Sequence, residues 1–196
     1  MAETLSSCFD TIQMIRTIPR YIYLSVLWFA CSVMPLQVLS EIRDPQAYFF
    51  NESFGDFAEE LENAREEDKR GVLIMFQQAD CPFCQRMRIT VLNQSDVQDY
   101  YRKNFLIFQV DIEGDLDITD FGGQQTIEKD FAFKQQRVRA TPVFAFFNLD
   151  GKRIARYTGA TTDVEEFLLL GQYVVDEIYR SMSFNRYKRE QQKTQP

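Results

Sequence analysis

The sequence predicts one α/β domain in which helices flank a mixed central β-sheet. A short, continuous apolar run at 72–76 and a second apolar stretch at 105–110, interrupted only by Gln109, are typical of buried central strands. Residues 148–151 read Asn-Leu-Asp-Gly between two further strand-like segments, which is typical of an antiparallel hairpin. The resulting order of helix, strand, helix, strand, helix, hairpin and helix favours a sheet that contains both parallel and antiparallel pairs.

Apolar residues recur at helical spacing in five segments, and each predicts an amphipathic helix. These segments are 56–69, the stretch after Pro82, the stretch after Ser95, 126–136 and 162–181. The hairpin strands are predicted over 143–147 and 153–157.

Residues 111–125 are acidic and contain glycine, and they predict a solvated loop that is longer than the usual connection. Their carboxylates do not match a calcium-binding EF-hand loop, because Leu116 stands where that loop needs glycine.

We expect four segments along the chain. They are a signal peptide or N-terminal leader over 1–40, an irregular segment over 41–55, the α/β domain over 56–181, and a polar, basic tail over 182–196 that frays.

The composition excludes several classes of function. The 196 residues carry a net charge of −7, and this acidity argues against a nucleic-acid partner, which needs clustered Lys and Arg. The chain has no histidine, which removes Ser-His and Cys-His nucleophile pairs, histidine general bases and histidine metal sites. We expect a monomer that binds no cofactor and no metal.

The N-terminal leader resembles a secretory signal. Residues 21–40 carry no charge and follow Arg16 and Arg20, so we expect export to the periplasm and cleavage before Glu41. The alternative is an uncleaved membrane anchor. A proline and a glutamine interrupt the apolar stretch, which therefore falls short of the ~20 apolar residues of a stable span.

The Cys81-Pro82-Phe83-Cys84 motif carries the predicted chemistry, because it lies between a buried strand and a helix. The N-terminus of a helix stabilises a thiolate, and proline is tolerated at the first helical position. We expect Cys81 to be the nucleophile and Cys84 the resolving thiol that closes the disulfide and releases the partner. A zinc site would need two more ligands, and a structural disulfide over so short a loop would stabilise the fold little.

Residues 76–87, taken together with Arg139-Ala140-Thr141-Pro142-Val143-Phe144 far downstream, resemble the thioredoxin-fold superfamily over about residues 54–180. Within this superfamily the sequence resembles the periplasmic thioredoxin-related, SoxW-like proteins, which share an Asp-Ile-x-Gly-Asp stretch, here 111–115.

The resemblance implies a thioredoxin fold with a cis-proline, Pro142, in its hairpin half, so that 56–181 would be a thioredoxin-like domain. It also implies that Thr141, Pro82 and Phe83 contact an extended substrate segment beside Cys81.

Four residues depart from the pattern of this superfamily. Met75 and Ile107 stand where thioredoxin has a buried acid and its lysine partner. Asp80 replaces a tryptophan, and its carboxylate disfavours a Cys81 thiolate if it is close and poorly solvated. Phe83 replaces the histidine of strongly oxidising periplasmic enzymes. The changes at Asp80 and Phe83 both favour a reductant.

We therefore expect a periplasmic thiol–disulfide oxidoreductase that reduces protein or sulfur-carrier disulfides. The resemblance implies that a membrane thiol donor recharges it. One alternative is a disulfide oxidase or isomerase that uses the same two cysteines. The other is a redox-dead, chaperone-like module that binds extended chains at Thr141 and Pro142.

Overall fold

The computed structural model describes residues 41–194, so the predicted leader lies outside the described residues. The helices are α1 (Pro45–Tyr48), α2 (Phe57–Glu66), α3 (Pro82–Thr90), α4 (Ser95–Asn104), α5 (Glu128–Asp130), α6 (Val164–Val175) and α7 (Phe184–Thr194). The strands are β1 (Gly71–Gln77), β2 (Phe105–Asp111), β3 (Asp117–Thr119), β4 (Gln125–Ile127), β5 (Val143–Phe147) and β6 (Arg153–Thr158). A π-helical turn, Phe131–Gln135, continues α5, and a 3-10 turn, Ile178–Arg180, follows α6.

The main sheet has four strands in the order β2-β1-β5-β6. Strand β1 pairs in parallel with β2 and antiparallel with β5, and β5 pairs antiparallel with β6. The prediction of a mixed sheet flanked by helices is therefore confirmed. The residues at the centre of the sheet are buried on both faces, which explains why β1 and β5 appear in the sequence as unbroken apolar runs.

The core consists of two layers, one on each face of the sheet, because successive side chains of a strand point to opposite faces. Leu73 and Met75 pack in a layer with buried residues of α3, α4 and α6. Val72, Ile74 and Phe76 pack on the other face, with residues of α2 and of the π-helical turn. In residues 41–194 no helix combines the length and the apolar content that crossing a membrane requires.

The acidic stretch 111–125 differs from the predicted solvated loop. It contains β3 and the turn that leads into β4, and Asp120 in that turn is buried. The Asp120 carboxylate accepts hydrogen bonds from the N–H groups of Gly122 (2.8 Å) and Gln124 (3.0 Å) and from the side chain of Gln135 (2.9 Å). Asp120 is therefore a turn-forming residue rather than a solvated charge.

The segment 41–55 contributes to the core, although most of it is irregular as predicted. Phe49 and Phe50 are buried in the same layer as the cysteine motif. Asn51 pairs with the outer edge of β2, since its N–H donates to the Ile107 carbonyl (2.7 Å) and its side-chain oxygen accepts from the Ile107 N–H (2.9 Å).

The prediction that the C-terminal tail frays is wrong for residues 184–194, which form α7. Phe184 and Tyr187 pack against Tyr173 of α6, with ring centroids 5.5 and 5.8 Å away. Lys188 forms an ion pair of 2.7 Å with the buried carboxylate of Glu166. These contacts, a third between Phe184 and Tyr157 (5.7 Å), and one partly buried ion pair therefore hold α7 against the domain.

The Glu166–Lys188 pair predicts a pH-dependent stability. Burial raises the pKa of Glu166, but hydrogen bonds from Lys188 and Thr162 outweigh burial and lower it to about 2. Because the pKa in the folded state is depressed, the stabilisation is present above the unfolded pKa of 4.5 and is lost as the pH falls towards 2.

Replacing Lys188 with Met should lower the free energy of unfolding at pH 7 by about 2 kcal/mol, because a buried carboxylate loses its partner. The loss should be much smaller at pH 3, and urea unfolding at the two pH values measures it. Lys193→Met, on the same helix but exposed, is the control. Equal losses in the two variants would contradict this account of α7.

Candidate active site

Cys81 and Cys84 form a disulfide at the N-terminus of α3, with Cα atoms 5.2 Å apart. Strand β1 ends at Gln77, and Cys81 is the residue that caps α3: its Sγ accepts a hydrogen bond of 3.1 Å from the Cys84 N–H. Cys81 is 8% exposed and Cys84 only 2%. Of the two cysteines, Cys81 is therefore the more accessible from solvent.

Pro82 and Phe83 lie between the cysteines and are exposed. Phe83 leaves 58% of its surface open to solvent, which is unusual for a large apolar side chain. It offers an apolar contact to a partner beside the disulfide.

The Thr141–Pro142 peptide bond is cis. Pro142 is buried immediately before β5, and its carbonyl accepts a hydrogen bond of 2.8 Å from the Gly159 N–H. Val143 is paired with Phe76 of the antiparallel strand β1. The start of β5 and the end of β1 therefore meet at one end of the sheet, which brings the Thr141–Pro142 bond and the cysteine loop to that end.

The surroundings of the pair are apolar where thioredoxin has an acid and a lysine. Met75 and Ile107 are both fully buried. Asp80 is exposed, so water surrounds its carboxylate and screens its charge. A strong effect on the thiolate is expected only if the Asp80 carboxylate is poorly solvated, and this carboxylate is exposed.

Two arginines of α3 hold the helix in place, and sequence reasoning missed both. Arg86 donates a hydrogen bond to the carbonyl of Thr161, in the loop before α6. Arg88 donates to the side-chain oxygens of Gln77 (3.2 Å) and Gln109 (2.5 Å), and its guanidinium lies over the Phe50 ring. Burial lowers the pKa of Arg88. The sequence gives no sign of these hydrogen bonds, because the residues that accept them lie 11 or more positions from Arg86 and Arg88.

No group of three or more Cys, Asp or Glu side chains within residues 41–194 is arranged to hold a metal ion.

Comparison with solved structures supports the fold. A thioredoxin-fold protein from Helicobacter pylori superposes with a TM-score of 0.52 and 20% identity, over 64% of this chain and 86% of that one. A proposed disulphide-isomerase from Bacteroides thetaiotaomicron superposes with a TM-score of 0.51 and 25% identity, over 69% of this chain and 94% of that one. Curated protein sequences gave no match.

The family described as thioredoxin-like domain matches residues 57–174, which is more than half of the chain and includes the cysteine pair and Pro142. Its span agrees with the sheet, the helices and the disulfide described above. The chain therefore belongs to the thioredoxin-like domain family.

Proposed function

We propose that the protein is an exported thiol–disulfide reductase that acts on protein or sulfur-carrier disulfides through Cys81 and Cys84. One observation carries the proposal: a disulfide caps the N-terminus of α3, and Cys81, the more exposed of its two residues, lies at the same end of the sheet as Thr141 and Pro142. A pair placed only for stability would gain little from so short a loop.

In the proposed reaction the reduced protein starts with two thiols. The Cys81 thiolate attacks one sulfur of the substrate disulfide, so that a mixed disulfide forms and one substrate thiolate leaves. Cys84 loses its proton and attacks Cys81, which releases the second substrate thiolate. The protein thus ends as the Cys81–Cys84 disulfide, and two electrons and two protons have passed to the substrate.

Each site residue has a proposed role in this reaction. The α3 N-terminus and the Cys84 N–H stabilise negative charge on Cys81. Phe83 and Pro82 contact the substrate, and Thr141 pairs with an extended segment of it beside Pro142. Asp80 has at most a small effect, because it is exposed.

The alternatives use the same site differently. An oxidase or isomerase would need a more stabilised reduced form, and a redox-dead chaperone would have no use for an intact cysteine pair at a helix N-terminus. The proposed location rests on the leader sequence, and the proposed membrane thiol donor rests on the resemblance to periplasmic reductases.

Turnover by exported protein tests the proposal. The full chain, produced with its leader and recovered from the cell envelope, should begin near Glu41 by mass spectrometry. With dithiothreitol as electron source, it should speed the reduction of insulin disulfides at least about tenfold over dithiothreitol alone. Cys81→Ser is the matched control and should give the rate of dithiothreitol alone. A wild-type rate no faster than this control would refute the proposed activity.

A further inference from the structure

Glu166 lies in the first turn of α6 and is buried, which is unusual for a carboxylate. It accepts hydrogen bonds from Lys188 Nζ of α7 (2.7 Å), from the Tyr157 hydroxyl of β6 (3.2 Å), and from both the N–H (3.0 Å) and the hydroxyl of Thr162. Burial and the negative charge of Glu166 raise the pKa of Tyr157 to about 12, so its hydroxyl keeps the proton that it donates. Glu166 therefore joins α7 and β6 to the loop between β6 and α6.

This loop, residues 159–163, begins beside the cis-proline. The Gly159 N–H donates to the Pro142 carbonyl (2.8 Å). Thr158, the last residue of β6, pairs with Val143, which directly follows Pro142. The start of the 159–163 loop and the cis peptide bond thus lie at the same end of the sheet.

The 159–163 loop also contacts α3, the helix that begins at the cysteine pair. The carbonyl of Thr161 accepts a hydrogen bond from Arg86, and its hydroxyl donates to Met87 Sδ over 3.6 Å. Thr161 is fully buried, and Ala160 packs against the core layer that contains both cysteines. The loop therefore lies on the face of the sheet that carries the disulfide.

Stability alone does not account for a charge at the position of Glu166. Burying an ion pair costs hydration, and apolar side chains of similar volume are often as stabilising or more so. A carboxylate, however, accepts several hydrogen bonds at once, which an apolar side chain cannot do. Because Thr162 and Tyr157 supply three of these bonds, the contacts of Glu166 fix where the 159–163 loop lies.

We propose that Glu166 is a positioning residue: held by Lys188, it fixes the 159–163 loop so that the groove at Thr141 and Pro142 keeps the shape that an extended substrate chain needs. The inference rests on the proposed function and assigns a further residue to that same site. A displacement of about 1 Å in a group that positions a substrate can cost about a hundredfold in rate. A small disulfide without a peptide chain makes no use of the groove, so its reduction should not depend on the loop.

Two substrates of different size test the inference on the full chain. Insulin is a protein disulfide, whereas hydroxyethyl disulfide has no peptide chain. Lys188→Met leaves Glu166 without its cation, so insulin should be reduced about tenfold more slowly, while the rate for hydroxyethyl disulfide should change less than about twofold. Lys188→Arg keeps the charge and should restore the insulin rate. Lys193→Met, at an exposed position of the same helix, is the matched control and should reduce both substrates as the wild type does.

Thr162→Val is a second variant, and it keeps the ion pair of Glu166 with Lys188. It removes one hydrogen bond between the loop and Glu166 at an exposed position, where the fold should tolerate the change. The insulin rate should fall about threefold, again with little change for hydroxyethyl disulfide. This variant decides the question even if Lys188→Met misfolds.

The outcomes separate the two proposals. An unchanged insulin rate in a folded variant, or an equal loss for both substrates, would overturn the positioning role of Glu166 and leave the reductase intact. Reduction of neither substrate by the wild type would overturn the proposed function, and the inference with it.

Discussion

Cys84→Ser should accumulate a mixed disulfide between Cys81 and its substrate. Cys84 is 2% exposed and its N–H contacts the Cys81 sulfur, so it is placed to attack Cys81 from within the domain and has little access to solvent. Without this resolving thiol, the mixed disulfide can be cleaved only by a thiol from solution. Turnover should fall by more than about a hundredfold, because an intramolecular thiol acts at a far higher effective concentration.

Mass spectrometry after acid quenching measures the adduct and locates it by peptide mapping. Cys81→Ser is the matched control. It should form no comparable adduct, because Cys84, the cysteine of the pair that remains, is buried. If the adduct forms on Cys84 in the control as fast as on Cys81 in Cys84→Ser, the roles assigned to the two cysteines are wrong.

The sequence was sufficient for the sheet, because each central strand leaves a direct trace in it. Strands β1 and β5 are covered on both faces, so their residues are uniformly apolar, and the Asn-Leu-Asp-Gly turn identifies the β5–β6 pair. The position of Cys81 was predictable for the same reason, since the motif follows β1 and opens a helix.

What could not be predicted depends on contacts between distant residues. Helix α7 is polar along the chain, and its place follows from a contact between Lys188 and Glu166, 22 residues apart. Asp120 looks like any acid of an acidic loop, yet it is buried because the N–H groups of its own turn surround it. The hydrogen bonds that Arg153 and Arg156 both donate to the Gln136 carbonyl depend on how β6 lies against the preceding loop.

The site residues also include some that the sequence indicated and some that only the structure shows. Phe83 is exposed, and its role as a substrate contact stays a prediction. The predicted influence of Asp80 on the Cys81 thiolate stays a prediction; the structure adds that this carboxylate is exposed, which the sequence could not show. Arg86 and Arg88 carry no recognisable motif, and only the packing of α3 reveals that they hold the cysteine helix.

The reduction potential should lie near that of thioredoxin, about −270 mV, and far from the about −120 mV of the strongest oxidant of this type. A strong oxidant stabilises its reduced form, chiefly its thiolate. In the described part of the chain one N–H, that of Cys84, donates to Cys81 Sγ, and Phe83 offers no donor. Met75 and Ile107 are buried and uncharged, so they supply no charge that would stabilise the Cys81 thiolate.

Asp80→Asn is a useful variant for this account, because it removes the nearest carboxylate in the sequence without altering the cysteines. Since Asp80 is exposed, the potential should change by less than about 30 mV, which corresponds to about 1.4 kcal/mol for two electrons. A larger change would mean that solvent does not screen this carboxylate as its exposure implies.

Equilibration of the full chain against dithiothreitol and glutathione buffers, followed by alkylation of free thiols and mass spectrometry of the Cys81–Cys84 peptide, tests the proposed reductase most directly. We predict a single two-electron transition nearer −270 mV than −120 mV, to within about 50 mV of the thioredoxin value. A midpoint near −120 mV would contradict the reductase and favour the oxidase, and a pair that stayed oxidised in every buffer would contradict redox function altogether.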